Sequence, residues 1–576
     1  MPYIGQEAAT TYSTRLAVQQ FNGDGSTTAF TLNQSVSADQ DILVSVDGVI
    51  QDNSAYTVSN GTTLTFSPAP SSGTANIFVN YLGLAVGTVT HPATQGLTAT
   101  TGTFTSDIST PTLGTSNFRA GVNAGNSIAS GGNNNTVVGD EAGTAITTGD
   151  QNTIMGHTAG DALTVGGKNT VFGQQALSSD TQGSKSVAIG EAALYAQNFT
   201  SATDAYNVAV GNDAGAAITT GKQNTLIGGL AGDAITTADN NTAVGFVSLS
   251  ANTTGHSNVA VGKDALAANT EGDKNNALGM SALDANTTGN ENNAFGFGAL
   301  GANTTGSENV AVGQDCLVAN TTASNNTAVG TGSLKTNTTG TNNTAFGKFA
   351  LRQNVAGDNT VAIGNEAAML LNPSGNVDMN GVYIGYQAGD EVTTGRHNTV
   401  IGALTANAMT TGANNLLLGT TAGNSSQPGG EITTGSSQIV LGNASSTNAH
   451  IQIDWTVVSD ERDKTDFTAL DLGLDFVKEL EPVTYKWDKR AKYGDDISTV
   501  THDGTHKEDW LDVGFKAQAV EALEEAAGYK IADKTNLTTN LTDDGKQYGL
   551  TYSKFVPILV KAIQELSEKI AALEAK

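Results

Sequence analysis

Between Phe118 and Gly442 the chain repeats one short phrase, a polar residue, usually asparagine, then three residues and a glycine. In NVAVG (258–262) the alternation predicts a strand with Val259 and Val261 on one face and Ala260 on the other. The glycine permits a corner of positive φ or a close backbone approach. A second apolar pair follows, Ala265 and Leu266 in this unit, and then a polar turn closing on TTG or a variant. Two short β arms with two corners fit one coil of a parallel β-solenoid. Nineteen such glycines run from Gly121 to Gly442, and those from Gly245 to Gly364 step by seventeen residues without a break. The recurring asparagine, for example Asn241, Asn258 and Asn275, is placed to form a hydrogen-bonded ladder along the stack. Gly190 to Gly211 and Gly364 to Gly385 are separated by 21 residues and Gly419 to Gly442 by 23, so loops bulging from the coil are expected there.

The flanks follow other patterns. Residues 1–86 hold short runs such as DILVSVDGVIQ, AYTVS and TLTFSPA, rich in Val, Ile, Phe, Tyr and Thr and parted by DG and NG turns. They read as a small β domain. Residues 87–116, rich in Thr, Gly, Ser and Pro, read as an extended linker. The shaft is expected over 117–445, a connector over 446–458 and a separate domain over 459–576. At the C-terminus Val556, Leu559, Ile563, Leu566, Ile570 and Leu573 step by 3, 4, 3, 4 and 3, the seam of a coiled coil. The expected fold is therefore mainly β, with an α+β domain at its end.

Composition sharpens this division. The last 118 residues hold 16 of the 27 Lys+Arg and 24 of the 55 Asp+Glu. A formal charge of −28 argues against a nucleic-acid partner, which needs a basic surface. With one cysteine, Cys316, no disulfide framework is possible. The N-terminus has neither the basic nor the apolar region of a signal peptide. His502 and His506 are four apart but lack further ligands at metal spacing, so no metal and no cofactor is expected. Coils with few large apolar residues could hardly stand alone, and three-fold association would bury a second face.

One segment carries candidate chemistry, SDERDK at 459–464. Ser459 and Lys464 are five apart, which points them away from each other on a helix and to opposite faces on a strand. They can pair only if a turn folds the segment back or if subunits cooperate. A lysine that takes a serine proton must be desolvated so that its pKa falls toward neutrality.

Two resemblances follow. The phrases NVAVG, SVAIG and NTAVG resemble the head repeats of YadA-like trimeric adhesins, although the seventeen-residue period is longer than usual there. SDERDK, LGLDFVKELEPVTYKWDKR (472–490), VGFKAQAVEALEEAA (513–527) and the terminal helix together resemble the peptidase S74 domain, the intramolecular chaperone of phage endosialidases, tailspikes and tail fibres. That resemblance implies a domain that drives assembly of a homotrimer and then cuts itself off at Val458–Ser459. Ser459 would be the nucleophile and Lys464 the base, with Asp460 and Arg462 in orienting roles. It implies a virion protein made in the host cytoplasm, attached to phage tail or adaptor proteins through its N-terminal domain. The shaft would meet a host-surface receptor, a glycan or outer-membrane component. Two alternatives are a cellular trimeric adhesin, which would need a signal peptide and a barrel anchor, and a glycan-degrading tailspike, which would need a carboxylate pair.

Overall fold

The computed structural model describes residues 18–82, 112–425, 427, 429–452, 456–493 and 500–576. Residues 87–111 of the expected linker, and 453–455 of the connector, lie outside the described residues. The fold is mainly β, with a parallel β-solenoid at its centre, small N-terminal sheets and a long C-terminal helix.

The N-terminal unit contains two antiparallel sheets. One orders strands Gln19–Gly23, Gly73–Tyr81, Ile42–Val46 and Val49–Ile50, and the other Ala29–Thr31, Thr63–Phe66 and Tyr56–Ser59. Alternate residues of both sheets, among them Val44, Leu64, Ile77 and Val79, meet in a closed core. Asp47–Gly48 takes positive φ at both positions of a two-residue hairpin turn, and Asn60 and Gly61 do so in the three-residue loop between Ser59 and Thr63.

The solenoid stacks nineteen three-residue strands in parallel and in chain order, from Phe118–Ala120 to Ile439–Leu441. Register is uniform: Val259, Ala260 and Val261 pair with Asn276, Ala277 and Leu278 of the next rung. The middle residue points inward, so Ala260, Ala277 and Ala294 are fully buried. The corner glycines are required sterically. Gly262 has φ of 133°, and a Cβ on it would lie 2.6 Å from the carbonyl oxygen of Gly279.

The second arm of each coil is not a strand. The residues two and four after the corner, Asp264 and Leu266 in this unit, have φ of 57° and 52°, which winds the chain as consecutive turns. The coil thus has one β arm where two were expected. The turn arm still delivers apolar groups, since Ala265 and Leu266 are buried.

The asparagine ladder forms with the backbone as its main partner. Asn258 Oδ1 accepts from Asn275 N–H at 2.9 Å, and Asn258 Nδ2 donates to the Gly272 carbonyl at 2.8 Å. These side chains are fully buried, and the ladder satisfies both ends of the amide. Gly381 interrupts it, and the Tyr383 ring fills the space, with its hydroxyl 3.5 Å from the Gly395 carbonyl.

Two of the long coils are more ordered than bulging loops. Thr203–Asp204 pairs in parallel with Gly183–Ser184, and Val377–Asp378 with Gly357–Asp358, so each insert adds a short strand of its own.

Candidate functional site

Beyond the last rung, Asp460 caps a single 3-10 turn, Glu461–Asp463. Its Oδ1 accepts from Arg462 N–H at 2.9 Å, satisfying a backbone donor at the start of the turn. The Arg462 guanidinium closes back on the same carboxylate, with Nη2 2.6 Å from Oδ2 and Nε 3.0 Å from Oδ1. These bonds hold the Asp460 carboxyl below its usual range.

The turn reverses the chain, and Lys464 N–H donates to the Glu461 carbonyl at 3.1 Å. That reversal brings together the two residues that neither a helix nor a strand could pair. Lys464 Nζ lies 2.5 Å from Ser459 Oγ and 3.2 Å from the Ser459 carbonyl oxygen. Ser459, Asp460, Arg462 and Lys464 all come from one turn of one chain, and no second subunit is needed to bring Ser459 and Lys464 into contact. Ser459 and Lys464 are both solvent-exposed, as are Val457 and Val458 on the other side of the bond. The single chain therefore supplies proximity without desolvation.

Residues 459–529 match the family model described as the chaperone of endosialidase.

The match starts at Ser459 itself, so this region of the chain carries a Peptidase_S74 chaperone domain. No curated protein and no solved structure matches the chain.

The region after the solenoid is built from three helices, α1 (Leu474–Glu479), α2 (Ala517–Ala526) and α3 (Phe555–Glu574), with two short antiparallel strand pairs, and the matched residues hold the first two helices. Leu472, Phe476, Val520, Phe555 and Ile558 form its core. Only one face of α3 takes part. Phe555, Ile558 and Ala562 are buried, whereas the heptad residues Val556, Leu559, Ile563, Leu566, Ile570 and Leu573 are all exposed, Ile563 by 63% and Leu573 by 69%.

Two features were missed in the sequence. Glu524 is fully buried on α2, where Thr538 N–H and Oγ donate to its Oε1 at 2.5 and 2.7 Å and Thr539 Oγ donates to Oε2. Burial raises its pKa, and the bonds from the two threonines outweigh that and hold it below the ordinary range. Its place four residues after the core residue Val520 was the available signal.

The second feature is the seat of the hairpin Thr539–Leu541/Tyr548–Leu550 on the last solenoid coil. Glu431 N–H donates to Asp544 Oδ2 at 3.1 Å, and Lys489 Nζ reaches the Ala444 carbonyl at 3.3 Å. Gly430 and Gly435 lack the side chains that would strike Thr542 and Asp543. Of the two histidines, His502 Nδ1 lies 3.3 Å from Asp488 Oδ2, and both rings pack edge-on against Tyr493.

Proposed function

We propose that this protein is a phage tail fibre whose chaperone domain assembles three chains and then cuts itself away at Val458–Ser459. The observation that carries the proteolytic part is the contact of Lys464 Nζ with Ser459 Oγ beside that bond. In the reaction the neutral Lys464 amine takes the proton of Ser459 Oγ, and the oxygen attacks the Val458 carbonyl carbon. The C–N bond breaks as the Ser459 nitrogen takes a proton, leaving an ester from Val458 to Ser459 Oγ and a free amine on Ser459. Water then hydrolyses the ester, giving a Val458 carboxylate and restoring the hydroxyl. Asp460 and Arg462 hold the turn that keeps the pair together.

An exposed lysine is a poor base because water favours its charged form. Cleavage therefore waits until neighbouring chains cover the segment, which ties the cut to assembly. Two open apolar surfaces support a homotrimer as the assembled form. One is the unused seam of α3. The other runs along the solenoid, where the residue before each corner glycine is apolar and points outward: Phe172, Ile227, Leu278, Phe295 and Phe346 are 40–55% exposed. Two further copies of the chain, parallel and in register, would cover both.

In this reading the N-terminal unit attaches to the phage tail and the shaft meets the host surface, with the protein resident in the virion. The purified chain should yield fragments ending at Val458 and beginning at Ser459, while Ser459→Ala and Lys464→Ala stay whole on denaturing gels and by intact mass. Splitting at that bond in either variant overturns the Ser/Lys assignment. Cross-linking of the released shaft should give trimers, and monomers would sink the assembly model.

A further inference from the structure

Residues 112–445 carry ten Lys+Arg against twenty-three Asp+Glu. Several of these cations are met by a carboxylate: Lys185 by Asp204 at 2.6 Å, Lys263 by Asp264 at 2.6 Å, Lys274 by Glu291 at 2.8 Å and Lys335 by Asp315 at 3.2 Å. Lys185 also stands over the Tyr206 ring, 4.8 Å from its centroid, but Asp204 already neutralises it.

Of the remaining cations, two share one aromatic ring. Lys348 Nζ lies 4.7 Å and Arg352 Cζ 4.8 Å from the centroid of the same ring, Phe349. Among the described residues neither cation has a carboxylate within 4.0 Å. The ring is seated on Gly332, where a Cβ would come within 2.8 Å of it. Arg352 is fixed at its backbone, its carbonyl accepting from Thr336 Oγ1 at 2.9 Å. The ring attracts both cations and holds them within about 10 Å of each other, where they repel. An anion within reach of both side chains would turn that repulsion into two charge-assisted contacts.

The surroundings narrow the anion's chemistry. A long polyanion such as a nucleic acid would be repelled by the acidic coils on either side. The exposed neighbours Thr331 and Gln353 are neutral hydrogen-bonding groups, suited to hydroxyls. We propose that Lys348 and Arg352, held on Phe349, form a subsite for a carbohydrate bearing an isolated carboxylate or phosphate. This deepens the host-recognition reading and rests on it only for where such a sugar is met.

The test is calorimetric titration of the full chain at low salt with trigalacturonic acid, mannose 6-phosphate, neutral isomaltotriose and inorganic phosphate. One or both acidic sugars should bind, identifying carboxylate or phosphate as the preferred anion, and isomaltotriose should not. Lys348→Gln/Arg352→Gln should lose at least tenfold in affinity, each single change less, and Lys222→Gln nothing. Unchanged affinity in the double variant, equal binding of isomaltotriose or of inorganic phosphate, or no binding of either acidic sugar overturns the proposal. Binding to a panel of purified lipopolysaccharides separates the two levels. If wild type and double variant bind them equally, the subsite is wrong and host recognition stands. If wild type binds the acidic sugars but no lipopolysaccharide, the subsite stands and lipopolysaccharide recognition fails.

Discussion

A recurrent charge pairing joins adjacent coils. Glu141, Asp213, Asp264, Asp315 and Glu366 all sit two residues after a corner glycine. Five residues after the next corner come Asp161, Asp233, Asp284, Lys335 and Asp390. Where the second partner is lysine, the two meet as an ion pair at 3.2 Å, which shows that these positions face each other across the rung. In the other four, two carboxyls share that space. Burial raises the pKa of Asp161, Asp233, Asp284 and Asp390, and the earlier acid adds to the rise. Asp390 reaches about 6, through burial first and then the charges of Glu391 and Glu366. A carboxyl whose folded pKa is raised favours folding in its protonated form, so the stability it withholds at neutral pH returns as pH falls from about 6 toward 4. Asp390→Asn should therefore melt higher than wild type at pH 7.5, with the gap closing by pH 4. An equal gap at both values would show that charge is not the cause.

At the scale of the coil, the core is kept full by an exchange between two positions. Units such as Gly279's place Leu283 four residues after the corner and Asn286 seven after it. Units such as Gly228's place Gly232 and Ile235 at those positions instead. Leu283 and Ile235 are both fully buried, and a Cβ on Gly232 would strike Ile235 at 2.7 Å. Two side chains thus alternate in filling one space, a volume-conserving swap. Leu283→Ala should cost about 2–5 kcal/mol, read as a lower melting temperature. The paired change Leu283→Gly/Asn286→Ile should recover most of the loss, and failure to do so would show that the two sites do not share a cavity.

Much of this coil was legible in sequence because glycine spacing and strand alternation are local signals. NVAVG disclosed that Ala260 and the two valines face opposite ways, and the asparagine column disclosed a ladder; which face is inward came from the structure. The turn arm was not legible, because left-handed φ at Leu266 contradicts that residue's own preference and is imposed by stacking. The Ser459–Lys464 contact lay between these cases. Spacing excluded every regular element and left a reversing turn open, and Asp460's capping bond supplies that turn. The seat of the hairpin on Glu431 joins residues more than a hundred positions apart, and no local pattern encodes it.

For the molecule as a whole, the proposed function joins assembly and cleavage through the exposed seam of α3. Ile563→Asp/Ile570→Asp places charges on that seam while leaving the buried face of Phe555, Ile558 and Ala562 intact. The chain should then stay monomeric by light scattering and uncut by mass spectrometry, although Ser459 and Lys464 are untouched. Efficient cleavage of such a monomer would separate the two steps. Uncut trimers would instead mean that the seam acts on the chemistry alone.

Uniform rungs also carry a hazard of translation. Eight consecutive corners from Gly245 to Gly364 are spaced identically, so chains zipping together one coil out of step would meet almost the same surface. The long coils after Gly190, Gly364 and Gly419 remove that degeneracy, for each occurs at a different height and matches only itself. The last of them lies against the hairpin Thr539–Leu541/Tyr548–Leu550, so in the proposed trimer alignment can begin there and every later rung inherits the same count. The irregular coils are then the graduations of the rod, and the regular ones the length between them.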